Sequence, residues 1–234
     1  MDMIYIAALL IGGTTLLGTF CGFLLNNVSP RWNDIVSAFA AGVMLCAAMF
    51  GLFQPAMELG KMHLVIFGAL SGMIFLRITA KFAPVRMLKS HPEMMFVLAL
   101  AMHKFPEGMA GGVGMASGAA GGMTAALGVA LQNFPEGVVM IPPLLKSGVS
   151  RKKAACIALL TGLLNAAGVF AGGIWGAAGE YALAFALAFA GGAMLDVIVK
   201  DMIPRIFQSK IPLGEWILTG GFLLMTAISM MIAA

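Results

Sequence analysis

From Met3 to Leu25 the chain reads MIYIAALLIGGTTLLGTFCGFLL, twenty-three residues without a charge. About 20 apolar residues are what an α-helix needs to cross the hydrocarbon core of a bilayer. The pattern recurs, giving eight expected spans at roughly 3–25, 35–59, 62–82, 93–115, 121–145, 153–176, 180–203 and 213–233. Between them stand Asn, Ser, Pro and clustered charges, the usual punctuation of connections. A soluble domain carries about 25% charged residues; here the share is 10%, with 61% hydrophobic residues and a mean hydropathy of +0.98. The fold class expected is therefore an all-α integral membrane protein. Its eight transmembrane helices would form one bundle, a single domain over residues 1–234. The first stretch lacks the basic segment of a signal peptide and reads as a retained helix.

Lys and Arg set the orientation. With the N-terminus outside, the cytoplasmic connections hold Arg31, Lys81, Arg86, Lys89, Lys146, Arg151, Lys152, Lys153, Lys200, Arg205 and Lys210. Lys61 alone falls outside, and Arg77 and Lys104 fall within spans. A cell-membrane, multi-pass protein with both termini extracytoplasmic is the expectation. Basic residues distributed in this way fit the bilayer, not nucleic acid. Cys21, Cys46 and Cys156 lie singly in apolar runs, an odd number without CxxC spacing, which suits small core residues rather than disulfides or a zinc knot.

Against this apolar background, HKFPEG (103–108) and QNFPEG (132–137) stand out. Ionisable groups inside a membrane are expensive and mark sites or pathways by default. His103 and Glu107, like Gln132 and Glu136, are four apart and so share a helical face. Pro106 and Pro135 cannot donate backbone hydrogen bonds. They are expected to kink the fourth and fifth helices and free the carbonyls of Met102 and Leu131. Counting along the spans puts His103, Gln132, Asn165 and Met44 at a common depth of roughly 14–18 Å at 1.5 Å per residue. Imidazole, carboxylate, amide and thioether at one level make a ligand set for a divalent transition ion. Met44, one of twenty methionines, reads first as a core side chain and second as a sulfur ligand. Asn165 is either a site residue or a cross-helix hydrogen bonder. Glu58 and Asp201 read as interfacial charges. The Lys104 ammonium needs partners at this depth: Glu107, three residues on, and Glu136 from the facing helix.

These motifs resemble those of the ZIP family of divalent metal transporters, in which the fourth and fifth of eight helices carry HNxPEG-like and (H/Q)(N/D)xPEG-like sequences. The similarity runs through spans two to seven, including AAGVML (40–45) and AGGAML (190–195). It implies a metal pathway with His103, Glu107, Gln132 and Glu136 as central ligands, Asn133 and Asn165 counted with them as metal-site residues, Met44 at a further contact, and a homodimer. Three departures are visible. Lys104 stands where the family usually has Asn, Asn165 where a Glu shared by two ions is common, and VKDMIPR (199–205) keeps Asp201 from a usually more acidic stretch. A cation gained and an anion lost both oppose a second dication, so Lys104 is expected to substitute for it, leaving one ion at the centre.

The function expected is import of a divalent transition metal into the cytoplasm, zinc first, with cadmium, iron or manganese as alternatives. The metal ion is the substrate and the lipid bilayer the other partner. No GxxxxGK[ST] phosphate loop is present, so a gradient or coupled ion would drive movement. An intramembrane metalloenzyme would want HExxH or a nucleophile with its base; neither occurs, and no enzyme is expected. The remaining alternative is a proton-coupled transporter of another small solute, with Glu107 and Glu136 as proton relay.

Overall fold

A computed structural model of the chain describes residues 2–25, 30–82, 92–116, 120–208 and 211–233. The side chains of 79–82, 92–103 and 120–122, and a few near the element ends, are outside that description. The described residues are helical almost throughout. In chain order they form α1 (Asp2–Leu24), α2 (Pro30–Cys46), α3 (Met62–Phe82), α4 (Pro92–Ala116), α5 (Ala120–Lys146), α6 (Arg151–Gly176), α7 (Glu180–Val197) and α8 (Gly214–Ala233). Among them, five stretches have the length and hydropathy to cross a membrane: Met3–Leu24, Asp34–Glu58, Arg151–Gly176, Glu180–Gln208 and Gly214–Met231. Met62–Ile78 is a shorter apolar helix. Arg86, Lys89 and Lys210, used above for orientation, lie outside the described residues.

Two rods change their winding part-way. α2 widens into a π-helical segment over Ala47–Phe53 and resumes α geometry over Gln54–Glu58. α7 does the same over Ile198–Met202 before Ile203–Gln208. In both, the i→i+5 bond is explicit: Gln54 N–H reaches the Met49 carbonyl, and Ile203 N–H reaches Ile198. A proline follows each segment closely, Pro55 and Pro204. Its ring crowds the carbonyl four residues back and withholds a donor, so the preceding turn relaxes outward.

Small residues decide which helices touch. A Cβ on Gly18 would lie 2.0 Å from the Phe134 carbonyl oxygen, and one on Gly108 1.9 Å from that of Asn165. The same holds for Gly42 against Leu218 (1.9 Å) and Gly72 against Phe189 (2.0 Å). The backbone contacts of α1 with α5, α4 with α6, α2 with α8 and α3 with α7 thus depend on the missing side chain, as lipid-embedded helices often do. α1, α4, α5 and α6 pack mutually, and α2 with its π segment leans on α5. The central core joins Ile11, Met44, Ala47, Val129, Val169, Leu187 and Met194. Leu9, Phe20, Phe67, Ile174 and Met231 face outward and exposed, an apolar exterior suited to lipid.

Candidate metal site between α4 and α5

Both Pro-Glu-Gly steps lie in helix: α4 runs through Pro106 and α5 through Pro135. The two helices pack against each other and bring four polar side chains into one buried cluster. Lys104 is 1% exposed, Glu107 2% and Glu136 5%, while Asn133 has no exposed surface. The Lys104 ammonium donates to Glu107 Oε2 at 2.8 Å, to Asn133 Oδ1 at 2.7 Å and to Glu136 Oε2. An ammonium has three N–H donors, and each has an acceptor. That saturation is what permits a cation at this depth, since an unpaired buried charge costs far more than it returns. The i,i+3 partner, Glu107, and the partner across the helix interface, Glu136, are the two that the spacing suggests.

Asn133 is oriented from the far side. Its Nδ2 donates to the Ile11 carbonyl on α1 at 3.1 Å, so its oxygen is the end turned to Lys104. The same carbonyl also receives the hydroxyls of Thr14 (3.0 Å) and Thr15 (3.3 Å). Three helices therefore meet at the cluster: α4 supplies the ammonium and one carboxylate, α5 the other carboxylate and the amide, α1 the backbone anchor.

Two further buried amides behave differently. Gln132 and Asn165 have no exposed surface, and among the described residues neither their side-chain nitrogen nor their oxygen has a partner at hydrogen-bond geometry. An orphaned buried amide costs about 1–3 kcal/mol per group, which asks for a ligand. Gln132 precedes Asn133 and lies one helical turn from Glu136. Asn165 belongs to α6 and sits against Gly108; a Cβ there would come within 2.8 Å of Asn165 Oδ1. Met44 is fully buried in the central apolar core. The backbone of His103 is in α4, one turn before Glu107, and its side chain lies outside the described residues. Among the described residues, no three His, Cys, Asp or Glu side chains converge as a metal-holding group. Among the described side chains, the donor set is one of two carboxylates and neutral amides.

One ionic pair escapes the sequence reading. Asp196 on α7, nearly buried, accepts from Arg77 Nε and Nη2 on α3, both at 3.4 Å. The signal was available: an acid closing the small-residue run AGGAMLD, with an Arg inside another span. Glu58 accepts from Gln54 Nε2 at 2.9 Å on an exposed turn.

The chain has relatives among known proteins. The family model for the ZIP zinc transporters matches residues 85–232. This chain belongs to the ZIP family. It is 35% identical over 220 residues to the zinc transporter GufA of Myxococcus xanthus, covering 86% of this chain and 87% of that one. The zinc transporter ZupT of Chlorobaculum parvum is 28% identical over 257 residues, covering 96% and 95%. For the zinc transporter ZIPB of Bordetella bronchiseptica the figures are 28% over 224 residues, 83% and 70%. ZIP proteins are membrane transporters of metal ions, not enzymes, and that is the class of this chain.

Proposed function

We propose that this ZIP-family chain carries a divalent transition metal, zinc before cadmium, iron or manganese, into the cytoplasm through a site near the bilayer midplane between α4 and α5. The observation that carries the reading is the pair of buried carboxylates, Glu107 and Glu136, one turn from Gln132, unpartnered among the described residues, and from the backbone of His103. A bare dication in a low dielectric is prohibitive unless anions stand beside it. His103, Glu107, Gln132 and Glu136 would hold the ion. Met44 and Asn165 would line the path, and Asn133 would serve the site by holding Lys104. The names of the relatives, zinc transporters in each case, support the choice of ion.

In this reading the chain crosses the membrane eight times, with α4 and α5 bent at Pro106 and Pro135 and both termini extracytoplasmic. A single metal ion occupies the centre, with the Lys104 ammonium beside it in place of a second. Uptake into proteoliposomes across zinc, cadmium, iron and manganese tests the function: zinc accumulation is expected, and no accumulation of any of the four overturns it. Diffraction at the cadmium absorption edge counts the ions; two adjacent ions each touching Glu107 and Glu136 would refute the single-ion centre. A Gly148→Cys protein in intact cells should resist a membrane-impermeant thiol reagent, and its labelling would invert the topology.

A further inference from the structure

We infer that Lys104 sets the coordination number of the transported ion, and with it the choice between zinc-like and manganese- or calcium-like ions. The inference deepens the metal reading above and rests on it. Its basis is which oxygens the ammonium takes. Lys104 Nζ engages Oε2 of Glu107 and Oε2 of Glu136, one oxygen from each carboxylate, and fills its third donor with Asn133 Oδ1. Each carboxylate is left with its Oε1 for a metal.

A carboxylate that chelates through both oxygens places the ion on the bisector of its two C–O bonds. Here that position is drawn toward the ammonium, and two like charges at such range in a dry interior repel strongly. Single-oxygen binding through Oε1 keeps the dication on the opposite side of each carboxylate from Nζ. Lys104 cannot step aside easily, because Asn133 holds it and is itself pinned to the Ile11 carbonyl at 3.1 Å. On the metal reading above, His103 adds one nitrogen to one oxygen from Glu107, one from Glu136 and the side-chain oxygen of Gln132. That makes four.

Four donors of mixed O and N character suit Zn²⁺, which is almost always tetrahedral in protein sites. They do not suit Ca²⁺, which takes 6–8 oxygens, or Mg²⁺ and Mn²⁺, which favour octahedral oxygen shells. A chain with a neutral residue at 104 would release both second oxygens and widen the shell to as many as six. Lys104 is thus a specificity-determining residue that never touches the ion.

Cobalt(II) reports the shell directly, since four-coordinate Co²⁺ absorbs visible light far more strongly than six-coordinate Co²⁺. Purified wild-type protein is titrated with Co²⁺, and thermal stabilisation by Zn²⁺ and by Mn²⁺ is measured in parallel. The expected wild-type result is an intense four-coordinate spectrum and stabilisation by Zn²⁺ at much lower concentration than Mn²⁺. In Lys104→Gln the bands should weaken toward the six-coordinate form, and the Zn²⁺/Mn²⁺ affinity ratio should fall by about tenfold or more. Lys104→Arg, which keeps the cation, should stay four-coordinate. A six-coordinate wild-type spectrum overturns the inference without any variant. So does a Lys104→Gln protein with unchanged spectrum and unchanged ratio. Absence of binding by Zn²⁺, Co²⁺ and Mn²⁺ alike would instead overturn the metal reading itself.

Discussion

Two buried acidic sites in this molecule are matched to cations in opposite ways. At the α4–α5 cluster, both carboxylates, the ammonium between them and the amide beside it are all removed from solvent, and the cation has every donor filled. At the α3–α7 pair, the Asp196 side chain is 6% exposed but that of Arg77 is 61% exposed, and the contacts are long at 3.4 Å. The first arrangement leaves no member able to move without stranding another. The second lets Arg77 swing to the headgroups or to water while its stem stays against the protein. Charge burial on both sides makes a rigid, specified site; burial on one side makes a tether that can let go.

Four substitutions probe that contrast, beginning with the largest effect. Glu136→Ala should abolish metal uptake while the protein still inserts, because it removes an anion needed against the dication's desolvation; wild-type uptake by a well-expressed variant would break the assignment. Lys104→Met should leave two buried carboxylates facing each other and cost about 3–5 kcal/mol, read as a large loss of thermal stability in detergent. Asn133→Ala removes one acceptor from a charged donor and should cost about 1.5–3 kcal/mol, with the loss of stability smaller than for Lys104→Met. Arg77→Ala, at the half-open pair, should fall within about 0.2–1 kcal/mol. If its loss matched that of Lys104→Met, the distinction between closed and open pairs would fail.

Much of the cluster was legible because lipid makes charges conspicuous. Two carboxylates four residues after polar partners, in otherwise apolar sequence, leave few readings, and the three-residue step from Lys104 to Glu107 is local helical geometry. The Asn133 bond to Ile11 was not legible, because its acceptor is a backbone carbonyl 122 residues away and has no signature in the side-chain sequence. Asp196 with Arg77 spans 119 residues and needed the α3–α7 packing to be known. The pairing of helices through glycines such as Gly108 and Gly42 was foreshadowed by composition, but composition does not say which helix answers which. The π segments were hidden in another way: AAMFGLF and IVKDM have ordinary residues for a span, and Pro55 and Pro204 were their visible sign.

Those two wide turns carry a consequence for any comparison of this chain with its relatives. A π turn is in effect one residue too many for the α-helix that contains it. Everything beyond it is rotated by about 100° about the axis relative to an uninterrupted helix. Removing a single residue between Ala47 and Phe53 would restore plain α winding and leave Pro55 and Glu58 on the faces they now occupy, because the wide turn already absorbs that residue. A one-residue gap in an alignment here is then not a loop change but the loss of a wide turn inside a continuous helix. The half of α2 beyond it would keep its neighbours, as would every residue before the gap, and the change would fall on the wide turn alone.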